Sequence, residues 1–417
     1  MSQRINLSSY LEEYLPEQFR QLVKLAQEKA DESGQRLYLV GGVVRDILLG
    51  RPNFDLDLVV EGNALKLAQE LAKVTHAKLT THKHFGSAKL DYEDFSLDIT
   101  TARRETYAKP GTLPTVTLGT IKDDLLRRDF TINAMAISLN RDNYGELIDP
   151  YNGKQNLDGG LIRVLHNQSF TDDATRILRA IRYEQRLGFQ IEPDTLQLLL
   201  RDIPMLDTIS SERIRYDLEL ILREETPEII LKRAHLLGVL QKMHPSLKGD
   251  GWLAQKFEQA RLLSKKSSPL PLYFSLLIYP LTEMENEQFL SRINPPKKLA
   301  RVMRDTLQIK KYLSDLSKPF LKPSQIYSLL RGYQPVAIQS NAIATDSPIA
   351  RCHLELFLRR LRYVKPFLDG DDLKAMGIPA GPRLGAILKA LHEAKLNGEV
   401  RTRKDEEKLV YTSKSKQ

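Results

Sequence analysis

The chain is nearly devoid of cysteine. Cys352 is the single one in 417 residues, so no intrachain disulfide can form, and a disulfide-stapled secreted scaffold is excluded. That usage fits a reducing compartment, and a cytoplasmic location is expected. Tryptophan is equally scarce, with Trp252 alone. No apolar run approaches the roughly 18–20 residues that cross a bilayer as a helix, which argues against a membrane span. The opening stretch, MSQRINLSSYLEEYLPEQF, carries acidic side chains and no apolar centre, unlike a secretory signal. There is no fixed-period repeat and no low-complexity block. The phosphate-binding pattern GxxxxGK[ST] is absent, which excludes a P-loop.

What is present is ordinary in bulk and uneven in place. Hydrophobic residues make up 41% and charged ones 28%, as in globular proteins, and the length predicts two to four packed units. Formal net charge is +9, but residues 1–300 hold 40 Lys+Arg against 41 Asp+Glu, whereas residues 301–417 hold 22 against 12. The whole excess lies in the last 117 residues. A basic C-terminal region points to a polyanionic partner, with nucleic acid first, or else to a bias toward solubility.

Periodicity divides the chain in two. Residues 1–35 read as a polar helix, with Leu11, Leu15, Phe19 and Leu22 near helical spacing. RLYLVGG reads as a buried strand ending at Gly41-Gly42, VVRDILLG as a helix stopped by Gly50, and FDLDLVV as an alternating strand. NALKLAQELAKVT is a helix, and AKLTTHKHFGSAKLDY and FSLDITTAR read as two further strands. Together these predict a small mixed α/β head of about 150 residues. Loop signals crowd 106–120, and from Lys122 onward strand signals nearly vanish, so an all-helical body and tail follow.

Three constellations carry chemistry. In the first, Asp55 and Asp57 stand at i and i+2 on a strand, so their side chains share a face. Carboxylates so placed repel one another unless they share a cation. Oxygen-only ligation suits Mg²⁺, which takes one or two carboxylates plus substrate phosphates, and Asp98 in SLDIT can add a third carboxylate. Gly41-Gly42, between strand and helix, lets backbone amides approach phosphate. Arg45 can pair with that phosphate, with Asp46 orienting it. In the second, LLRRDFTINAMAISL, Arg127, Arg128 and Asp129 precede Asn133, which falls one helical turn after Asp129. An arginine pair near a metal suits triphosphate. In the third, FTDDATRILRAIRYEQRLGF, Arg176, Arg179 and Arg182 recur at i, i+3 and i+6. Asp173 sits three residues before Arg176. An acceptor beside a fork of donors can read a base whose exocyclic amine adjoins a ring-nitrogen acceptor, as in cytosine and adenine. Read separately, DxD is often a solvated strand face, GG a turn and an arginine stripe a solvated helix face. Their joint order is what points to chemistry.

In that order these motifs resemble the class II nucleotidyltransferases of the polymerase-β-like superfamily, which include tRNA CCA-adding enzymes and bacterial poly(A) polymerases. LVGGVVRDILLG…DLD is similar to the family's catalytic motif, RRDFTINAMA to its second, and DDATRILRAIR to its nucleotide-reading motif. Residues 369–403 are similar to the tail of many CCA-adding members. The resemblance implies a nucleotidyltransferase head at 1–150, a helical neck with the reading motif at 151–225, a helical body at 226–340 and a basic tRNA-binding tail at 341–417. It implies Asp55 and Asp57 as Mg²⁺ ligands, with Gly42, Arg45 and Arg128 on the nucleotide. Asp173 and Arg176 would read CTP and ATP, supported by Arg179 and Arg182. The tRNA would lie along body and tail, held by its acceptor end and TΨC arm. Asp172 stands where many members have Glu. No His-Asp dipeptide occurs, so the metal phosphohydrolase domain of some members is not expected, and His82 and His84 read as strand residues rather than ligands. Three activities stay open: addition of CCA, of CC alone, or of A alone. The last two imply a second nucleotidyltransferase that completes the end. In the family this choice is linked to the loop that falls here at 104–121. Poly(A) polymerase is a fourth variant, against which the tail argues. A non-catalytic tRNA-binding protein is a remote fifth.

Overall fold

The structure is a computed structural model. It describes residues 5–51, 55–82, 86–93, 95–106, 109, 114–263 and 270–414, with the side chains of Asp55, Ser413 and Lys414 outside the description. His84 and, within the 104–121 loop, residues 107, 108 and 110–113 lie outside the described residues. The chain divides into two compact units, Met1–Asp217 and Leu218–Gln417.

The first unit is built on a sheet. The predicted 1–35 helix is two helices, α1 (Ser8–Tyr14) and α2 (Glu17–Glu32), with Pro16 as the cap of the second. Proline lacks the N–H that a continuous helix needs and fixes φ for a new start. Then follow β1 (Arg36–Val40), α3 (Gly42–Leu48), β2 (Asp55–Glu61) and α4 (Ala64–Thr75). Residues 77–92, read as one strand, are a hairpin of β3 (Lys78–His82) and β4 (Ser87–Asp91), with Gly86 at φ +57°. β5 (Ser96–Thr101) completes this part. A separate ribbon pairs β6 (Arg103–Thr106) with β7 (Thr115–Leu118). α5 (Ile121–Leu126) leads to β8 (Ala136–Ser138) and β9 (Leu147–Ile148).

The main sheet runs β3-β4-β5-β2-β1-β8-β9. β2 and β5 are parallel and the other neighbours antiparallel. β8 therefore lies inside the sheet, between β1 and the edge strand β9, in a segment where strand signals nearly vanish. MAISL is a short, largely apolar run, and periodicity alone does not separate a buried strand from a buried helix at that length. One face of the sheet is covered by α4, whose buried Ala64, Leu67, Ala68 and Leu71 also pack with α2. Along β5, Leu97 and Ile99 are buried while Asp98 and Thr100 alternate with them, so the carboxylates lie on the opposite face, part of which, at Tyr38, Val40 and Val59, packs with Ile121 and Leu125 of α5.

The remainder of this unit is mainly helical: α6 (Gly153–Asp158), α7 (Ser169–Asp172), α8 (Thr175–Leu187), α9 (Pro193–Asp202) and the first part, to Asp217, of α10 (Ser211–Leu222). A two-residue parallel ladder of β10 (Leu161–Ile162) and β11 (Gln190–Ile191) interrupts it. The second unit shows helices and no strand among the described residues. One of its cores gathers Ile309, Leu330, Ile338, Leu354 and Phe357; another, toward the C-terminus, gathers Leu368, Leu373, Ile378, Leu391 and Val410. No helix among the described residues is long and apolar enough to cross a membrane.

Candidate active site

The carboxylate face of the sheet holds a cleft of about 590 Å³ lined by Asp57, His82, Ser87, Asp98, Thr100, Arg103, Arg127 and Arg128, with Val40 and Leu58. Asp57 and Asp98 are register partners on parallel strands, so their side chains leave the sheet on the same face. Asp55 begins β2 opposite Ser96; its side chain lies outside the described residues. His82, read as a strand residue, is one, and it also lines the cleft. No group of three metal-binding side chains occurs among the described residues. The donor set that is present, two carboxylates facing one cleft with arginines around it, fits a hard divalent cation shared with phosphate oxygens.

The same cleft is lined by the arginines of the second motif. Asp124, fully buried, takes Arg127 on one oxygen (Nη2–Oδ1 2.7 Å) and Arg128 on the other (Nη2–Oδ2 3.1 Å). Burial pushes the Asp124 carboxyl up, but the Arg128 and Arg127 charges outweigh it and hold it below its ordinary value. This anchor aims both guanidinium groups. The Arg128 Nε–H is buried and has no protein acceptor. Gly41 sits at φ +77° against the same group. A β-carbon there would stand 2.6 Å from Arg128 Nη1 and 3.7 Å from Asp57 Oδ2, so glycine is required both for backbone conformation and for room. Gly42 opens α3, and a β-carbon there would meet Arg45 Nη2 first, at 3.6 Å.

Arg45 is not among the cleft-lining residues. It is 3% exposed, donates through Nε to Asp46 (2.8 Å) and through Nη1 to Asn133 Oδ1 (2.6 Å), and lies over the Tyr183 ring at 5.3 Å. Asp46 orients it, as the sequence suggests. Asn133 in turn donates to Asp129 Oδ1 (3.0 Å), whose Oδ2 takes Arg179 (2.9 and 2.5 Å). Burial raises the Asp129 carboxyl, but the Arg179 charge, the Asn133 hydrogen bond and Arg176 reverse this and bring it to about 2. Arg182 also lies over Tyr183, at 5.4 Å. Arginines and acids from three distant motifs thus meet in one lattice around a tyrosine that sequence reasoning did not single out.

The reading motif differs in detail from expectation. Arg176 does not meet the Asp173 carboxylate. It is 4% exposed and donates to Ser169 O (3.2 Å), Ser169 Oγ (2.7 Å) and the Arg127 carbonyl (2.8 Å). Asp173 instead takes Thr175 and, from α10, Arg213 Nη2 at 2.6 Å. Arg213 was missed: ISSERIRYD reads as a charged helix start, and only the fold brings it across forty residues to Asp173. At the root of the β6–β7 ribbon, Glu105 takes Arg103 (2.8 Å) and stands 3.6 Å from Arg127, tying the ribbon to the arginine pair.

Residues 37–163 match the model of the poly A polymerase head domain, and residues 188–250 that of the "probable RNA and SrmB-binding site of polymerase A". Among curated proteins, the A-adding tRNA nucleotidyltransferase of Halalkalibacterium halodurans is 34% identical over 96% of this chain and 94% of its own length. That of Geobacter sulfurreducens is 35% identical over 91% of this chain, which spans 45% of that longer protein. The CCA-adding enzyme of Geobacillus stearothermophilus is 29% identical over 91% and 93%. Among solved structures, an apo CCA-adding enzyme superposes with a TM-score of 0.83 at 31% identity, covering 99% of this chain and 100% of that one. The Thermotoga maritima CCA-adding enzyme complexed with tRNA gives 0.76 at 30%, covering 99% and 100%.

Proposed function

Because the chain belongs to the class II tRNA nucleotidyltransferase family, we propose that it adds nucleotides to the 3′ end of tRNA, taking CTP, ATP or both and releasing pyrophosphate. The observation that carries this reading is that one cleft is lined by two kinds of group: the carboxylates Asp57 and Asp98, and the guanidiniums Arg127 and Arg128. Nucleotidyl transfer needs that division. The tRNA 3′ oxygen forms a bond to the α-phosphorus, the α–β bridging bond breaks, and pyrophosphate leaves with its charge.

Arg128 supplies a guanidinium fixed by Asp124 with a buried Nε–H still to satisfy, which suits a phosphate oxygen. Arg127 stands beside it. Gly41 leaves room for the Arg128 guanidinium beside Asp57. Family members generally use divalent metal ions, and Asp57 and Asp98, with Asp55, would hold Mg²⁺ here. When bound, such an ion stabilises charge on the attacking and leaving oxygens. Asp173 would accept from the exocyclic amine of C or A, with Arg176 holding the backbone of Arg127 and the helix start in place. Arg45, Asp129, Asn133, Arg179 and Arg182 then act as a rigid support for that site. The four-part division into head (1–150), neck (151–225), body (226–340) and basic tail (341–417) remains our reading, with tRNA along body and tail by its acceptor end and TΨC arm. The absence of disulfide chemistry suits the cytoplasm.

Within this activity, addition of the terminal A alone is favoured over full CCA synthesis, because the relatives of higher identity carry the name A-adding. A second nucleotidyltransferase would then supply CC. Single-nucleotide extension of three tRNA transcripts, ending before CCA, after C and after CC, tests both steps. Extension of the CC-ended transcript alone with ATP is the expected result. Complete CCA on the first transcript would make this a full CCA-adding enzyme, a stop after CC would make it the CC-adding partner, and no extension of any would overturn the reading.

A further inference from the structure

Asp173 has more partners than a base-reading acid needs. Thr175 gives Oδ1 two hydrogen bonds, from its backbone N–H (3.0 Å) and its hydroxyl (2.7 Å). Arg213 gives Oδ2 one, at 2.6 Å. A carboxylate has about four acceptor positions, two on each oxygen. Three are taken, and the one left lies on Oδ2. The pair is not sealed off: the Asp173 side chain is 20% exposed and that of Arg213 35%.

That count matters for which base the acid can accept. Cytosine and adenine present one donor group, the exocyclic amine, next to a ring nitrogen that accepts. Guanine presents two adjacent donors, N1–H and the N2 amine. A bare carboxylate takes guanine through both oxygens at once, as it takes a guanidinium. Such an acid, left uncapped, would favour the wrong purine. Resting on the nucleotidyl-transfer reading above, we propose that Arg213 is a specificity-determining positioning residue. With Thr175 it caps Asp173, so that one acceptor position faces the nucleotide and the two-oxygen mode open to guanine is blocked. This is discrimination by occupying the competitor's contacts rather than by adding contacts to the substrate. Arg213 sits on α10 one helical turn before the buried Asp217.

The test is the ratio of kcat/KM for GTP to that for the cognate nucleotide, on whichever tRNA transcript the wild-type protein extends. Arg213→Met removes the cap and is expected to raise that ratio about 10- to 100-fold, the worth of one or two hydrogen bonds to a charged group. Arg213→Lys keeps one charged donor and is expected to stay within about threefold of wild type. Thr175→Val removes the hydroxyl and frees one of the two Oδ1 positions, the backbone N–H keeping the other, and is expected to raise the ratio as well, which keeps the test alive if the Met variant does not fold. A loss of kcat/KM that is equal for both nucleotides, with the ratio unmoved in both variants, would overturn the proposal and leave Arg213 a structural residue. Wild-type protein that extends no transcript would instead overturn the transferase reading; ATP and GTP competition for binding to wild type and Arg213→Met would then still decide the role of Arg213.

Discussion

Arg45 and Arg128 both come from short charged motifs that flank the sheet, yet their surroundings are opposite. Arg45 is sunk in a lattice where Asp46, Asn133 and the Tyr183 ring take its guanidinium, and Asn133 passes the chain of contacts on to Asp129 and Arg179. Arg128 is held by Asp124 on one nitrogen and keeps a buried Nε–H without a protein acceptor, at the wall of a cleft that also holds Asp57 and Asp98. Partners on Arg45 Nε and Nη1 fix its geometry, and a buried donor left over at a cleft wall is prepared for something that arrives. The first region should therefore answer to stability measurements, and the second to chemistry.

The largest effect is expected in the cleft. Asp57→Asn should lower kcat for nucleotide transfer by about 10³-fold or more, since it removes charge where phosphate charge must be balanced. It should leave tRNA binding within about twofold, and the melting temperature should hold or rise, because Asp57 and Asp98 are like charges in register. Filter binding and thermal melting alongside single-turnover transfer separate these outcomes. A variant that loses stability in proportion to activity would erase the contrast with the lattice.

The lattice should behave the other way. Asn133→Ala strips a partner from Arg45 Nη1 and another from Asp129 Oδ1, both buried. Leaving two charged groups short of a hydrogen bond is expected to cost about 2–4 kcal/mol of unfolding free energy, read as a shift in the denaturant midpoint of the first unit. A cost below about 1 kcal/mol, the ordinary worth of a single neutral hydrogen bond, would mean that the network is slack and that Arg45 is free to turn toward a ligand.

How far each region was legible follows from the range of its contacts. The Asp57–Asp98 face was readable because strand alternation is a two-residue rule, and DLD and SLD each obey it among apolar neighbours. The bond between Asp129 and Asn133 forms at the spacing expected of one helical turn, but not in a helix: Phe130 is extended and Thr131–Asn133 is a 3-10 turn. The arginine stripe of α8 was not readable. Spacing says that Arg176, Arg179 and Arg182 share an arc, but not that the helix is buried on nearly every side, with Arg176 and Arg182 inside. Arg213 left no local signal, for its partner is set by how α10 returns to the start of α8. Pro16 and Gly86 were visible, yet their breaking power was underweighted against apolar spacing, so two helices were read as one and a hairpin as one strand.

The smallest and most discriminating effect should come from the rim of the lattice, at Asp217. This carboxyl is 6% exposed. Burial pushes it up, Arg179, Arg182 and Arg213 pull it down, Asp173 pushes it up again, and the balance stands at about 6. Below an ordinary aspartate pKa of 3.8, both folded and unfolded chains hold the proton, and the site is neutral to stability. Between 3.8 and about 6 the unfolded chain has released the proton while the folded chain retains it, so unfolding becomes easier as pH rises; above 6 the full cost, roughly 2–3 kcal/mol, is present. Asp129 acts in the opposite sense and in a separate window: its contribution is present above 3.8 and is lost as pH falls toward about 2. Asp217→Asn should thus match wild type near pH 4 and exceed it in stability at pH 7 to 8, with the difference opening between the two pKa values. Denaturant melts at pH 4, 5, 6 and 7.5 would trace that opening. Parallel curves with no divergence would mean that Asp217 ionises on folding at no cost, and that the three arginines around it offset its burial in full.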